Sequence, residues 1–354
     1  MIVISNIISF LGDNVLPYVI AILLFLILIF IHEFGHFIAA KLLGVRVNEF
    51  ALGMGPKLLK WGKGETQYSI NLFPIGGYCA MEGEDAKSAD ERAFCNKKPW
   101  RRFLIVVMGA VFNLLLGLVL ISITLMPQKQ FAMTTVDSFR DNAVSVQHGL
   151  QEGDKIIKVD GRKIFTTYDL SYAFSNVADD SIDITVKRDG KLVELNNVMF
   201  AHEEIEGINY LTVDFYVTGR QKTFSSFIGQ TFKTAISNCA VVYRSLFDLI
   251  TGRYGISAMS GPVGVTAAIG NVAKESLLDL IPIMALITIN LGIFNLLPIP
   301  ALDGGRLVFI VFEMIFRKPV PQKYEAIVHA VGMILLLTFM AIISFKDIYM
   351  LIAR

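Results

Sequence analysis

The sequence predicts a polytopic α-helical membrane protein with about four transmembrane helices, a β-hairpin beside the membrane and one small β-rich domain outside it. Of its 354 residues, 54% are hydrophobic and only 18% are charged, whereas soluble domains average about 25% charged residues. Its long apolar runs are near the length of about 20 residues that a bilayer-crossing helix needs. The net charge of +1 argues against a nucleic-acid partner.

The first apolar run, Pro17–Leu43, contains the motif around which we interpret the rest of the chain. His32 and His36 are four residues apart, so on a helix both imidazoles lie on one face and can reach one metal ion. Glu33 follows the first histidine and can act as general base on a metal-bound water. The alternative is a core cluster satisfied by hydrogen bonds. Because ionisable groups are costly at membrane depth, we favour a functional site.

The segment that follows this run is rich in basic residues and predicts the orientation of the chain. By the positive-inside rule it lies in the cytoplasm, which puts the N-terminus outside. At 1.5 Å per residue, the two histidines lie roughly 8–14 Å up the helix from Lys41, inside the bilayer but nearer the cytoplasmic face. The basic residues are Lys41, Arg46, Lys57, Lys60, Lys63, Lys87, Arg92, Lys97, Lys98, Arg101 and Arg102.

Within this cytoplasmic segment the sequence predicts a β-hairpin. Residues 66–72 alternate polar and apolar side chains between the turn-rich stretches 53–56 and 73–78, a pattern typical of a strand. Its edge can accept an unwound segment of another protein as an additional strand. The contact residues would be Tyr68, Ser69, Ile70 and Asn71. An ordinary surface hairpin is the alternative.

The second span, Phe103–Met126, contains Gly109 and Asn113 and returns the chain to the outside. From Pro127 to about Arg220, short alternating stretches and turn signals such as Asp189-Gly190 predict a β-rich domain. It would hold one helix near residues 168–176. We expect His148 and His202, which fall in this domain, to be surface residues.

Residues 223–250 carry apolar side chains at helical spacing together with scattered lysine and arginine. They predict a helix that lies in the membrane interface, with packing against the β-rich domain as the alternative. We therefore divide the chain into a first membrane half (1–126), the β-rich domain (127–220), an amphipathic linker region (221–270) and a second membrane half (271–354).

The third span, Leu280–Leu297, ends in a broken helix that offers a third metal ligand. Pro298 and Pro300 interrupt the helix, and Asp303-Gly304-Gly305 restarts one. Broken backbone at membrane depth is tolerated only in protein or beside a wet cavity. The Asp303 carboxylate is thus either the third ligand or a helix N-cap. His329, near the cytoplasmic end of the last span (326–345), is the rival third ligand.

Asn295 stands just before this broken stretch. Its amide could bind a substrate backbone or a developing oxyanion, or only cap the end of its span.

His32-Glu33-Phe34-Gly35-His36, the segment Asn295–Gly305 and the Gly-Leu-x-x-Gly-Asp-x-Ile sequence at 149–156 together resemble the bacterial site-2 proteases of the RseP type. The resemblance implies Zn²⁺ held by His32, His36 and Asp303, with Glu33 as catalytic base. It implies that Asn295 contacts substrate, that the 54–80 loop is the family's membrane-associated hairpin, and that residues 127–200 form a single PDZ domain.

The same resemblance implies an enzyme of the bacterial inner membrane, with its PDZ domain outside the cytoplasm and its active site near the cytoplasmic side. Its expected substrates are membrane-spanning segments, such as those of anti-sigma factors or remnant signal peptides. A peptide ligand for the PDZ domain is a further expected partner, beside membrane lipid. A membrane metal transporter or a non-catalytic PDZ scaffold is the alternative.

Overall fold

Two compact units make up the chain: Met1–Leu120 with Leu249–Arg354, and Ile121–Asp248. The computed structural model describes residues 16–353 except 85, 176, 178–180, 206–207 and 253–258. The N-terminus, which we predict to lie outside the cytoplasm, is thus not among the described residues. The helix at 223–250, which we assigned to a separate linker region, falls mainly in the second unit.

Helices of spanning length account for three of the predicted membrane crossings. Among the described residues they are α1 (Leu16–Leu42), α2 (Pro99–Leu125) and α8 (Gln322–Ala353). The remaining predicted span is α6 (Leu280–Leu296), which is strongly apolar but only 17 residues long. Most side chains of α8 are exposed and apolar, as expected for a helix whose solvent is lipid.

Two shorter helices complete the first unit. In α5 (Pro262–Glu275) the first turn is capped from α8, because Asp347 Oδ2 accepts from the main-chain N–H groups of Gly261 and Gly264, each at 2.8 Å. α7 (Asp303–Phe316) is tied to the start of α2 by an ion pair of 2.6 Å between Arg102 Nη2 and Glu313 Oε1.

The predicted hairpin is present as β1 (Val47–Trp61) and β2 (Gln67–Met81), but it is more folded than the sequence predicted. Both strands bend, so that residues 49–52 pair with 77–80 on one side and with 67–70 on the other. Residues 68–71 pair in turn with 57–61. The sheet therefore has its edges at 77–81 and 57–61, and the segment 68–71 is interior, with 68–70 paired on both sides.

An ion-pair cluster joins this sheet to the end of α1. Glu65, in the turn between β1 and β2, lies 2.7 Å from Lys41 Nζ and 2.5 Å from Arg92 Nη1. These two cations lower the pKa of the Glu65 carboxyl to about 2.

The second unit is built on an antiparallel sheet of order β10-β3-β4-β6-β7, with β5 beside β4. Its core includes Leu150, Phe174, Phe200 and Phe215. Leu150 belongs to the Gly-Leu-x-x-Gly-Asp sequence, whose Asp154 is fully buried and ion-paired with Arg188. The elements are β3 (Gln130–Phe139), β4 (Lys155–Val159), β5 (Arg162–Lys163), α3 (Thr167–Phe174), β6 (Ser181–Arg188), β7 (Lys191–Met199), β8 (His202–Ile205), β9 (Ile208–Leu211) and β10 (Phe215–Gln221).

The long helix α4 (Phe224–Ile250) packs on this domain with its polar face. Ser237 donates to Asp169 Oδ2 at 2.7 Å, and Asp248 is buried against Arg162. The opposite face is apolar and exposed. Its exposed residues are Phe224, Ile228, Phe232, Ile236, Tyr243 and Phe247. The structure thus shows the packing against the domain, whereas the position of α4 in the membrane interface stays a prediction.

Candidate metal centre

His32, His36 and Asp303 meet at one point inside the first unit. Asp303 Oδ2 lies 3.0 Å from His32 Nε2 and 3.1 Å from His36 Nε2, and the two Nε2 atoms are 3.2 Å apart. Both histidines are buried, with 8% and 7% of their surface exposed. Among the residues that the structure describes, these three form the one group of His, Cys, Asp or Glu side chains suited to a metal ion.

The three ligand atoms fit a zinc ion. Ligands about 2.0–2.1 Å from a tetrahedral zinc lie about 3.3–3.4 Å from one another, close to the distances found here. Two imidazoles and one carboxylate leave the fourth position for water, as in catalytic zinc sites. The donor set and its spacing therefore fit zinc.

Asp303 is the first residue of α7 and follows the N-cap residue Leu302, whose side chain makes no capping hydrogen bond. The preceding chain folds back so closely that a Cβ atom on Gly304 would lie 1.8 Å from the carbonyl oxygen of Leu297. Only glycine fits at position 304, which explains why a glycine follows Asp303 directly.

His329, the rival ligand, lies outside the metal group. Its Nδ1 accepts from the main-chain N–H of Ala301 at 3.0 Å. Ala301 has a φ of 76°, a conformation that is strained for a residue with a side chain. The histidine therefore supports the broken backbone that precedes Asp303.

Glu33, the residue after His32, lies beside Gly77 at one edge of the hairpin sheet. A Cβ atom on Gly77 would be 3.2 Å from Glu33 Cγ. The ionisable groups that act electrostatically on Glu33 include His36, His32 and Asp303. The edge segment 77–81 thus runs directly beside the acidic residue.

The predicted substrate contacts lie on the hairpin sheet and at the end of α6. Ser69 and Asn71 are buried in the interior segment, where Ser69 donates to Glu49 Oε1 at 2.7 Å and Asn71 donates to the Gly53 carbonyl at 3.0 Å. The Tyr68 ring stacks on Trp61. Ile70 is 36% exposed, and Asn295 is buried near the end of α6. The structure therefore brings His32, His36 and Asp303 together beside Glu33, whereas Tyr68, Ser69, Ile70, Asn71 and Asn295 remain predicted substrate contacts.

Residues of helix α2 contact the Nδ1 atoms of both histidines. The sequence did not predict these contacts. His36 Nδ1 lies 2.9 Å from the carbonyl oxygen of Ile105, and a nitrogen of the Asn113 amide lies 3.2 Å from His32 Nδ1. Between them, a Cβ atom on Gly109 would lie 2.3 Å from His36 Nε2. The available signal was the spacing of four between Gly109 and Asn113 in an apolar span.

We expect Gly109→Ala to lower zinc affinity at least about tenfold, because the added methyl group displaces imidazoles whose orientation sets the site. Zinc bound to the purified protein, measured by elemental analysis at fixed free zinc, checks this. The matched control is Gly117→Ala on the same helix, where the new methyl group meets Ile289 instead of a histidine. Equal zinc content in both variants and in the unmodified protein would contradict the expectation.

Comparison with known proteins gives a consistent result. The chain matches peptidase family M50 over residues 20–339. It is 37% identical over 337 residues to a protein of Clostridium acetobutylicum, covering 93% of this chain and 96% of that protein. A Clostridium perfringens protein is 36% identical over 332 residues, covering 93% and 97%. A Fusobacterium nucleatum protein is 32% identical over 349 residues, covering 95% and 99%. All three are named as zinc metalloproteases.

Proposed function

Because this chain belongs to peptidase family M50 and is a zinc metalloprotease, we propose that it cleaves peptide bonds within the membrane-spanning segments of other proteins. The observation that carries the proposal is the meeting of His32, His36 and Asp303 within 3.2 Å of one another on helices of an apolar, multi-helix unit. A soluble substrate would not require this chemistry at membrane depth. Candidate substrates are spans of anti-sigma factors and remnant signal peptides.

In the proposed reaction His32, His36 and Asp303 hold the zinc ion. Zinc supplies Lewis acidity for the scissile carbonyl and lowers the pKa of water toward about 7. Glu33 takes the proton of the attacking water and delivers it to the leaving nitrogen as the carbon–nitrogen bond breaks. Asn295 is the proposed contact to the substrate backbone.

We further propose that the substrate adds as a strand to the hairpin sheet at residues 77–81. This segment pairs on one side within the sheet, whereas Tyr68, Ser69 and Ile70 pair on both sides and have no free edge to offer. The side chain of Asn71 is already hydrogen-bonded to the Gly53 carbonyl. The contact between Gly77 and Glu33 supports the same choice. A helical peptide bond is shielded by its own hydrogen bonds, and strand addition replaces those bonds once the substrate unwinds.

Helix-breaking residues in a substrate span are expected to raise its cleavage. A glycine in a helix interior costs about 1 kcal/mol relative to alanine, and proline about 3 kcal/mol, so local unwinding becomes several-fold to about a hundredfold easier. The measurement is the initial cleavage rate of paired reporter spans that differ only by Gly-Pro or Leu-Leu near the scissile bond. Equal rates for the two members of each pair would contradict the requirement for unwinding.

The proposed function itself is tested by incubating the purified enzyme in lipid nanodiscs with a panel of transmembrane segments and locating cuts by mass spectrometry. The expected cuts lie inside the apolar stretch, toward the cytoplasmic side. Cuts confined to the soluble flanks would instead indicate a protease that cleaves outside the membrane-spanning segment. The Glu33→Gln variant, which we expect to keep zinc and lose cleavage, is the negative control.

We place the enzyme in the bacterial inner membrane as a multi-pass protein with the site near the cytoplasmic side, since the basic segment 41–102 favours the cytoplasm. The unit Ile121–Asp248 is then outside the cytoplasm, and we assign its sheet domain as a single PDZ domain that screens substrates or binds a peptide. The exposed apolar face of α4 supports contact of that helix with lipid.

A further inference from the structure

Asn113 is a fully buried amide in the middle of the apolar helix α2. Its side-chain nitrogen lies 3.2 Å from His32 Nδ1, and its main-chain carbonyl accepts from Thr288 Oγ1 at 3.1 Å. Its side-chain oxygen is buried and has no hydrogen-bond partner. A polar side chain in a membrane-spanning helix is costly unless it has a partner, so the contact with His32 requires an explanation.

The protonation of a zinc-bound imidazole determines which amide atom must face His32. The Nε2 atom of His32 points at Asp303 and is the one placed to bind metal. A neutral imidazole that binds metal through Nε2 carries its hydrogen on Nδ1, which then donates. An amide N–H₂ group facing that position would oppose donor to donor. Rotation of the amide by about 180° exchanges its oxygen and nitrogen, which are assigned from the hydrogen-bond network.

His36 offers the comparison that makes the role of Asn113 specific. Its Nδ1 is 2.9 Å from the carbonyl oxygen of Ile105. A carbonyl oxygen can only accept a hydrogen bond, so Nδ1 of His36 must be the donor. Ile105, Gly109 and Asn113 are spaced by four and share one face of α2. One zinc-binding histidine is thus oriented by the backbone of this helix and the other by a side chain.

We infer that Asn113 is the positioning residue of His32: its side-chain oxygen accepts from Nδ1–H and holds Nε2 toward the zinc ion. The inference rests on the proposed zinc site. An apolar residue of the same size would leave Nδ1–H buried without an acceptor, and His32 could then rotate or change tautomer. Outer partners of this kind alter metal affinity by about 10–100-fold.

The test uses the full-length protein in detergent, with zinc affinity measured by competition with a chromogenic chelator. Asn113→Leu keeps the shape and removes the acceptor, and we expect its zinc dissociation constant to rise about 10–100-fold. Asn113→Asp keeps an acceptor and should stay within about threefold of the unmodified protein. The Co²⁺-substituted Leu variant should show a changed ligand-field spectrum, and the Asp variant an unchanged one.

The matched control is Thr288→Val, which removes a buried hydrogen bond to the same residue without touching His32. Unchanged zinc affinity in Asn113→Leu, or an equal loss in Thr288→Val, would overturn the inference. His32→Ala tests the proposed zinc site separately from the role of Asn113. If this variant binds zinc as tightly as the unmodified protein, the proposed zinc site itself is wrong.

A measurement on the unmodified protein does not depend on whether the Asn113 and Thr288 variants fold. Nitrogen-15 NMR of the zinc-loaded protein, with His32 identified by the loss of its signals in His32→Gln, reports the state of each ring nitrogen. We expect Nε2 to be metal-bound and Nδ1 to be protonated and hydrogen-bonded. Metal on Nδ1, or an Nδ1 proton that exchanges freely with solvent, would overturn the inference.

Discussion

Replacing Glu33 with glutamine is expected to lower the rate of peptide-bond cleavage by about 10²–10⁴-fold, the usual contribution of a general base. Glutamine has nearly the same shape but cannot take a proton from water. Because Glu33 is not one of the three residues that meet at the ligand point, zinc content should remain near one ion per chain. Both quantities are measured on one preparation, by mass spectrometry of a cleaved membrane segment and by elemental analysis.

Glu65→Gln is the control for this substitution. It makes the same chemical change on a carboxylate that pairs with Lys41 and Arg92 at the C-terminal end of α1, and its cleavage rate should be unchanged. A Glu33→Gln enzyme that cleaves as fast as the unmodified protein would exclude Glu33 as the base. Loss of zinc from that variant would instead assign Glu33 to the metal site.

Asp303→Ala is expected to weaken zinc binding by more than about a hundredfold, beyond the range found when only an outer partner is lost, and to abolish cleavage. The substitution removes the carboxylate that faces both imidazoles at 3.0 and 3.1 Å. Two histidines alone form an incomplete catalytic zinc site. Chelator competition on the purified variant measures the change.

The control is Asp279→Ala, which removes an aspartate that lies just before another apolar helix, α6. Its zinc affinity should equal that of the unmodified protein. If Asp303→Ala also retained full zinc affinity and lost only about 1 kcal/mol of stability, the typical cost of a lost helix cap, Asp303 would be a residue of the helix end and no ligand.

The metal group could be predicted because each of its members carries a local signal. The histidine pair shows the spacing of one helical face, and Asp303 follows a proline-broken span. Both signals concern short stretches of sequence, where helix geometry fixes which side chains share a side. Their meeting in space required only that the two stretches lie at one depth, which the flanking basic residues indicate.

The interior position of residues 68–71 could not be predicted in the same way. Alternation of polar and apolar residues identifies a strand but does not say which neighbours it pairs with. The bends that fold β1 and β2 into four paired segments depend on contacts between distant parts of the loop. The edge that we propose for the substrate, 77–81, overlaps the stretch 73–78, which the sequence indicated as a turn.

The support given by α2 was also beyond local sequence patterns. The main-chain oxygen of Ile105 carries no residue-specific signal, and any residue at that position offers the same acceptor. Gly109 and Asn113 stood out only as polar or small residues in an apolar span. Their contacts with His36 and His32 arise from how closely two helices pack, which composition does not determine.

The order of the three residues along the chain has a consequence for assembly. His32 and His36 belong to α1, whereas Asp303 belongs to α7, which is far from α1 in the sequence. The proposed zinc site is therefore complete only after these two helices have packed together in the first unit. A partly folded chain holds the imidazoles without the carboxylate, so it lacks the hydrolytic activity that we propose for the folded protein.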